Sequence, residues 1–362
     1  AGGFVGNGLS GAMVYKEKGD TLCWELGRSD VADHRDGDVL YFKCRLPVGK
    51  LRLPLGGQKS DMLINLEKAE VSGKSGGVNW KCYMPASRQV LIIEWEGQGQ
   101  LPEMGFVPGI AQSPRLAFKG SLYKVPEGYV PNPPAKLYRE GEYQICKQPL
   151  LGGGEYSTVW KTINGKGKKK LVLSISYSAQ NTDTEREGIR NIEEVLSVPA
   201  AVVEKEHRAW WNDFYGRSYV SVGEDKFDSF YWTQLYKLGS ATRADRLPVD
   251  LMGPWYHDRT PWPAIWWNLN IQLTYSPVFA INHAELAEPL LRMLDDNTEN
   301  LKKNVPAGFA NSAAIGRSSS YDCVKEVGKE HGLLMWTMLY YWKYCQYNQD
   351  AERMRTRFFP LM

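Results

Sequence analysis

The chain has 362 residues, enough for two domains with substantial cores, and its hydrophobic content of 43% and charged content of 23% are ordinary for a globular protein. A net charge of +3 is too small to indicate a nucleic-acid-binding surface, and no apolar run approaches the ~18 residues that a membrane span needs. The six cysteines show no CxxC or Cys/His spacing, which argues against a zinc site and leaves disulfides open.

Residues 1–180 are predicted to form β structure. Short runs rich in β-branched and aromatic residues, such as Gln89–Glu96 and Leu171–Tyr177, are separated by Gly, Pro, Asn and Asp. This spacing favours a large antiparallel β-sandwich domain. The 13 tryptophans and 20 tyrosines of the chain suit either a carbohydrate-binding cleft or an aromatic-rich core.

The first motif, Gly6–Gly11, fits the G-x-G-x-x-G pattern of dinucleotide-binding proteins. That fingerprint needs a strand before it and a helix after it, whereas residues 12–15 (AMVY) are typical of a strand. We therefore expect a turn here rather than a nucleotide site.

Three aspartates, Asp33, Asp36 and Asp38, alternate within the run DHRDGD. Such spacing suits calcium, but the run lacks the distal Glu of an EF-hand loop, and clustered Asp and Gly commonly form a turn. A third interpretation is that Arg28, Asp30 and His34 reach towards the helical part and form the rim of a sugar pocket.

Helical patterns begin near Asn181. Residues 182–185 (TDTE) offer a helix N-cap, and residues 181–211 are predicted as a helical linker. Within residues 212–362, helices are predicted at Phe227–Ala244, Ile281–Asn304 and Gly332–Gln346 from apolar residues at three- and four-residue spacing. The architecture predicted is a β-sandwich followed by a helical array.

The segment Asp250–Pro277 (DLMGPWYHDRTPWPAIWWNLNIQLTYSP) carries four tryptophans beside two asparagines, Asn268 and Asn270. Aromatic rings stack on the apolar face of a sugar, and amides and carboxylates hydrogen-bond its hydroxyls. The i, i+2 spacing would place both asparagine side chains on one side of an extended segment. Buried loop asparagines also commonly satisfy backbone groups, so the residues alone leave both roles open.

The opening GNGLSGAM and the order Gly, Trp, Pro-Trp, Asn-x-Asn and Tyr within 250–277 resemble glycoside hydrolase family 95, the inverting α-L-fucosidases and their relatives. The resemblance implies a β-sandwich (supersandwich) packed on an (α/α)6 catalytic barrel, a carbohydrate substrate and no cofactor. It also implies that Asn270 holds the attacking water and that Asn268 helps to orient it. The other residues implied to contact sugar are Trp255, His257, Asp258, Trp262, Trp266 and Trp267, and His34 is a further candidate from the rim interpretation of the aspartate run.

Two departures from the family accompany this resemblance. The stretch after Trp211 holds only about half of the dozen helices that an (α/α)6 barrel needs, so we expect the barrel to be incomplete here. The glutamate that acts as general acid and the aspartate that activates the base are then expected beyond Met362. Gln272 stands where family members often carry Glu, which leaves the sugar open.

The function predicted is hydrolysis of a terminal glycosidic bond, with an α-L-fucoside as the first substrate to test and an α-L-galactoside as the second. The alternatives are a non-catalytic carbohydrate-binding protein, an inactive fragment, or a phosphorylase that transfers sugar to phosphate. A periplasmic or secreted location is expected from this function, because polymeric glycans are found there.

Overall fold

The computed structural model describes residues 2–17, 20–56, 60–180, 183–309 and 311–362. In its first half it has thirteen strands, which are β1 (Gly2–Gly6), β2 (Ser10–Glu17), β3 (Thr21–Arg28), β4 (Gly49–Pro54), β5 (Ser60–Asn65), β6 (Glu70–Ser75), β7 (Val78–Tyr83), β8 (Leu91–Glu96), β9 (Gly105–Pro108), β10 (Lys136–Glu140), β11 (Tyr143–Pro149), β12 (Glu155–Gly165) and β13 (Lys168–Ser178). Two 3₁₀ turns, Pro114–Ala117 and Ser121–Tyr123, interrupt the connection between β9 and β10.

The second half is mainly helical. Its elements are α1 (Thr184–Leu196), α2 (Ala200–Gly216), α3 (Asp225–Ala241), β14 (Ile265–Trp266), α4 (Asn270–Tyr275), α5 (Pro277–Ala280), α6 (Glu288–Asp296), α7 (Thr298–Lys303), β15 (Ser318–Ser319), α8 (Leu333–Tyr347), α9 (Ala351–Arg353) and α10 (Phe359–Leu361). A 3₁₀ turn at Ala284–Ala287 precedes α6, and a π-helical turn at Met354–Phe358 precedes α10.

The strands form two antiparallel sheets that face each other. The five-stranded sheet has the order β1-β2-β3-β4-β9, and the eight-stranded sheet has the order β10-β11-β12-β13-β8-β7-β6-β5. Alternate residues of β3 and β4 point inward and meet the aromatic residues of β7 and β8. Trp24 and Trp80 pack edge to face at the centre, with ring centroids 5.7 Å apart. The predicted antiparallel β-sandwich is therefore confirmed.

Helix α1 begins where the sequence places a cap, because the Asp183 carboxylate accepts a hydrogen bond from the backbone N–H of Arg186. Its apolar face, with Ile192 and Val195, packs on the outer surface of the eight-stranded sheet against Val159. The boundaries of the predicted linker stay a prediction, and its first two residues, 181 and 182, lie outside the described ranges.

The helical half has its own aromatic-rich core, formed by α2, α3, α4, α6 and α8 around the fully buried Trp211, Tyr236 and Trp267. Two predicted helices correspond closely to α3 and α8. The predicted helix at Ile281–Asn304 is wrong in one respect, since it is divided into a 3₁₀ turn, α6 and α7. A β-sandwich followed by part of a helical barrel is the observed architecture.

A row of glycines joins the two halves. Gly6, Gly11 and Gly27 are cross-strand neighbours on β1, β2 and β3. A Cβ at Gly27 would lie only 2.4 Å from the carbonyl oxygen of Pro254, and one at Gly6 would lie 2.5 Å from that of Ser240. The bare sheet surface thus lets the backbone of the helical half lie directly on it.

The predicted turn in the first motif is confirmed by Gly8, which links β1 to β2 with a φ of +83°. Its N–H donates to the Ser240 carbonyl, 2.9 Å away, at the end of α3. Asn7 completes the turn, since its Oδ1 accepts the N–H groups of Leu9 and Ser10. The motif is therefore a docking point between the two halves.

A buried ion pair fixes the start of the Asp250–Pro277 segment on the sandwich. The Arg45 Nη1 atom lies 2.9 Å from Asp250 Oδ2 and 2.8 Å from the Gly253 carbonyl oxygen. Each side chain is only 2% exposed. Burial disfavours the charged guanidinium, but the surrounding acidic groups, Asp250 foremost, together outweigh this and raise the pKa of Arg45.

All six cysteines are buried and unpaired, so the disulfides that the sequence left open do not form. No helix in the described ranges combines the length and apolarity that crossing a membrane requires.

Candidate functional site

The two asparagines lie on a tight turn, which we call the asparagine turn (residues 267–270). It connects β14 to α4, and Asn270 is the first residue of that helix. Leu269, between the asparagines, has φ +77° and ψ −44°, a conformation that L-residues rarely adopt. The predicted extended segment is therefore wrong, and the i, i+2 argument for a shared side does not apply. Backbone strain of this kind often occurs at functional sites.

Hydrogen bonds from distant parts of the chain hold the turn. The Trp267 N–H donates to the Arg317 carbonyl oxygen at 2.8 Å, beside the pairing of β14 with β15. Gln272 is completely buried, and its Nε2 donates to the Trp267 carbonyl oxygen at 2.7 Å and to Thr337 Oγ1 at 3.1 Å. The amide at position 272 supplies a donor to the Trp267 carbonyl that an ionised carboxylate would lack.

The Asn268 side chain is anchored by a carboxylate. Its Nδ2 donates to Glu330 Oε1 at 2.9 Å. Glu330 is itself paired with Arg317, whose Nε donates to Oε2 at 3.0 Å and whose Nη2 contacts Oε1. This chain of contacts fixes which end of the Asn268 amide carries the oxygen and turns that oxygen away from Glu330.

Asn270 contrasts with Asn268. Its carbonyl oxygen accepts a bond from Thr274 Oγ1 at 3.0 Å, but no group of the described chain hydrogen-bonds its half-buried side-chain amide. The amide therefore has both a donor and an acceptor available for a ligand.

The four tryptophans divide into two pairs. Trp262 and Trp266 pack together with ring centroids 5.6 Å apart, and Trp262 is 48% exposed. Trp255 and Trp267 are buried instead, and their indole N–H groups donate to the Val5 carbonyl oxygen and to Ser319 Oγ. Both rings are used in packing the helical half and in docking it on β1, and their predicted contact with sugar stays a prediction.

The remaining predicted residues are dispersed. His257 and Asp258 are largely exposed, and the His257 ring accepts the Arg259 N–H. His34 lies on the sandwich, where its Nδ1 is 3.5 Å from the Tyr177 hydroxyl and its ring lies against Gly152. No hydrogen bond in the described part of the chain links His34 to the asparagine turn, so its predicted role in sugar binding stays a prediction.

The aspartate run proves to be a structural turn. Asp33 is buried and accepts bonds from Arg35, Asn132 and the His34 N–H. Asp38 accepts the N–H of Leu40. Among the described residues, no cluster of three or more His, Cys, Asp and Glu side chains could hold a metal ion.

A cavity of about 370 Å³, which we call the junction cavity, lies between the outer face of the five-stranded sheet and residues 256–258. Glu25 and Lys50, cross-strand partners on β3 and β4, form its floor, and Asp258 stands at its edge. Burial raises the pKa of Glu25, and the nearby Asp258 charge adds to this, although Lys50 and Tyr15 oppose it. Asp258 thus belongs to this cavity.

Sequence reasoning missed Glu330 and Arg317. Both lie in a stretch without regular periodicity, and Glu330 is separated from Asn268 by 62 residues. Only the tertiary fold brings these side chains together, through the pairing of β14 and β15 and the return of the chain to α8.

Comparisons with known proteins concern the class of the helical half and the fold. Residues 228–362, which include the asparagine turn and Glu330, match the family model of the glycosyl hydrolase family 95 catalytic domain. This match supports the resemblance to family 95 over the helical half. No match was found among curated proteins.

A solved structure described as "Putative kojibiose phosphorylase from human microbiome" shares the fold, with a TM-score of 0.63 and 10% sequence identity. The similarity covers 97% of this chain and 52% of that chain, so the present chain spans about half of its length. At this identity the likeness shows the fold alone, a β-sandwich followed by a helical region.

Proposed function

We propose that the protein acts on glycosides and that the asparagine turn is where it binds the reacting sugar. The observation that carries the proposal is the contrast between the two amides: Asn268 is locked by Glu330, while the amide of Asn270 is available. The strained Leu269 and the exposed ring of Trp262, packed on the half-buried Trp266, support it. The match of residues 228–362 to a glycosidase catalytic domain supports the class of reaction.

The proposed reaction is inverting hydrolysis. Asn270 would hold a water molecule through its side-chain oxygen, and Asn268 would help to orient it. A carboxylate bound to an amide N–H polarises the amide and increases the negative charge on its oxygen. Glu330 is placed to do this for Asn268. Inversion also requires a general base that takes the proton released by this water, and a general acid on the opposite side of the sugar that protonates the leaving oxygen.

An α-L-fucoside is the first substrate proposed, and an α-L-galactoside is the second, following the resemblance of the Asn-x-Asn segment. The test is hydrolysis of the corresponding aryl glycosides, with the configuration of the first-formed sugar read by proton NMR. Release of the β-anomer from an α-glycoside supports inversion, and release of the α-anomer contradicts it. Parallel reactions with inorganic phosphate distinguish hydrolysis from phosphorolysis.

The role of Asn270 is tested by Asn270→Ala in the active protein, with Asn164→Ala on an exposed part of β12 as the control. We expect turnover of the Asn270 variant to fall by about 10²–10⁴-fold, the range typical of acid–base groups, with the circular dichroism spectrum unchanged. Near-normal turnover of the Asn270 variant would refute the proposed role of Asn270. Sugar binding without turnover in the wild-type protein would favour the alternative of a non-catalytic carbohydrate-binding protein.

A further inference from the structure

The junction cavity has the properties of a small-molecule site. Its volume of about 370 Å³ lies within the range of ligand-binding pockets. Its walls are mainly aliphatic and include Val107 and Ile110, which are 46% and 69% exposed. Exposed apolar side chains above a buried polar floor are typical of sites that bind a ligand with one apolar and one polar face.

The floor of the cavity is polar, and its opposite charges are paired with each other. Glu25 Oε1 lies 3.3 Å from Lys50 Nζ, and the Tyr15 hydroxyl donates to Oε2 at 3.1 Å. The buried carboxylate thus already has a counter-charge. A charged ligand would disturb this pair, whereas a neutral ligand can add hydrogen bonds to it. Asp258, largely exposed, supplies a further acceptor at the edge.

We infer that the junction cavity is a carbohydrate-binding site, distinct from the asparagine turn, that takes a neutral sugar ring. The ring's C–H face would lie against Val107 and Ile110, and its hydroxyls would donate to Glu25 and Asp258 and accept from Lys50. The choice of sugar as ligand rests on the proposed function. The two sites share no lining residue, but one segment connects them, since Asp258 precedes Asn268 by ten positions in the Asp250–Pro277 run.

The position of the cavity suits a glycan of several units. Its floor belongs to the sandwich and its edge belongs to the helical half, held together by the glycine row and by the Arg45–Asp250 pair. A sugar bound there would contact both halves at once. The cavity would therefore hold a second unit of the same glycan, or a free sugar, while the asparagine turn holds the reacting unit.

The experiment is saturation-transfer NMR with methyl α-L-fucoside and with D-glucose, followed by titration of four single variants of the full chain and of Asn270→Ala combined with Ala117→Trp or Glu25→Gln. Ala117→Trp fills the cavity from an exposed wall position, so the fold should tolerate it. Glu25→Gln keeps the shape of the floor and removes its charge. Glu17→Gln is the matched control, because Glu17 forms an ion pair with Arg52 on the same sheet but does not line the cavity. Asn270→Ala tests the other site.

We expect Asn270→Ala to retain the binding that belongs to the cavity, and Ala117→Trp or Glu25→Gln added to Asn270→Ala to weaken that binding by about tenfold or more. Glu17→Gln should bind like the wild type. Unchanged binding when Ala117→Trp is added to Asn270→Ala would overturn the inference, and so would the absence of saturation transfer to both sugars. Binding that is lost in Asn270→Ala but retained in Ala117→Trp would refute the junction cavity while supporting the proposed function. Binding that is lost in Ala117→Trp but retained in Asn270→Ala, together with no hydrolysis, would support the junction cavity and refute the proposed function.

Discussion

The ion pair between Arg45 and Asp250 provides the most quantitative test of how the two halves are joined. Replacing Asp250 by Ala would leave a guanidinium that is 2% exposed with only the Gly253 carbonyl as a partner. Removing one member of a buried pair typically costs about 3–5 kcal/mol, because the remaining charge stays buried without compensation. The N–H groups of Met252 and Gly253, both bonded to Asp250 Oδ1 at 2.8 Å, would lose their acceptor as well.

Two further variants separate these contributions. Asp250→Asn keeps an acceptor for the two N–H groups and removes only the charge, so it should cost less than Asp250→Ala. The double variant Arg45→Met/Asp250→Leu removes both charges, and buried pairs replaced in this way are often neutral. Its loss of unfolding free energy should therefore be well below the sum of the losses in the single variants Arg45→Met and Asp250→Leu. A double-mutant cycle measures this coupling.

The assay is urea unfolding of each variant, followed by tryptophan fluorescence and by circular dichroism. The reasoning is refuted if Asp250→Ala lowers the free energy of unfolding by less than about 1 kcal/mol, the value typical of an exposed pair. Additive costs in the double variant would also refute it, since they would mean that the two side chains act independently.

Three further predictions concern the glycine row, the asparagine turn and a buried histidine. Gly27→Ala should lower the free energy of unfolding by roughly 1–3 kcal/mol, because the added methyl group pushes Pro254 away from the sheet. Gly105→Ala, on β9 with open space around it, should change this free energy little. Equal effects of the two variants in urea unfolding would contradict the close approach at Gly27. Gln272→Glu should lower the free energy of unfolding by at least ~2 kcal/mol, because the Trp267 carbonyl loses its donor. The control Gln346→Glu, at an exposed position on α8, should leave stability nearly unchanged. Similar melting temperatures for the two variants would disprove this prediction. Burial lowers the pKa of His207 to about 4, so only the unfolded chain takes up this proton as the pH falls from about 6.5 to 4, and stability should fall by about 3 kcal/mol over that window. His207→Gln should remove this component of the pH dependence, and an unchanged profile of stability against pH would count against it.

The sequence predicts the sandwich well because its signals are local. Alternating residues, as in Leu171–Tyr177, and turn residues such as Gly8 define strands and their ends without reference to the rest of the fold. It predicts the helix at Ile281–Asn304 less well, because a new helix, α6, begins at Glu288 with Pro289 in its first turn and is capped by Asn297. The apolar spacing there persists across the breaks and resembles a single helix.

The candidate site depends on contacts that no local pattern encodes. Tryptophans crowded around asparagines indicate a sugar site, but only packing decides that Trp267 is buried and Trp262 is exposed. The anchoring of Asn268 by Glu330 and the meeting of Glu25 with Asp258 in one cavity join residues far apart in the chain. The glycines of the first motif likewise read as a turn, whereas cross-strand pairing makes Gly6 and Gly11 part of a docking surface.

The most direct measurement of the central claim is a titration of the asparagine side-chain amides, followed in proton–nitrogen NMR spectra as methyl α-L-fucoside is added. The account predicts that the Asn270 amide shifts most, because it is available to the ligand, and that the anchored Asn268 amide shifts less. The amide of Asn164, exposed on β12, should stay unchanged. Sugar-dependent shifts that leave both Asn268 and Asn270 unmoved would contradict the claim that the asparagine turn binds the reacting sugar.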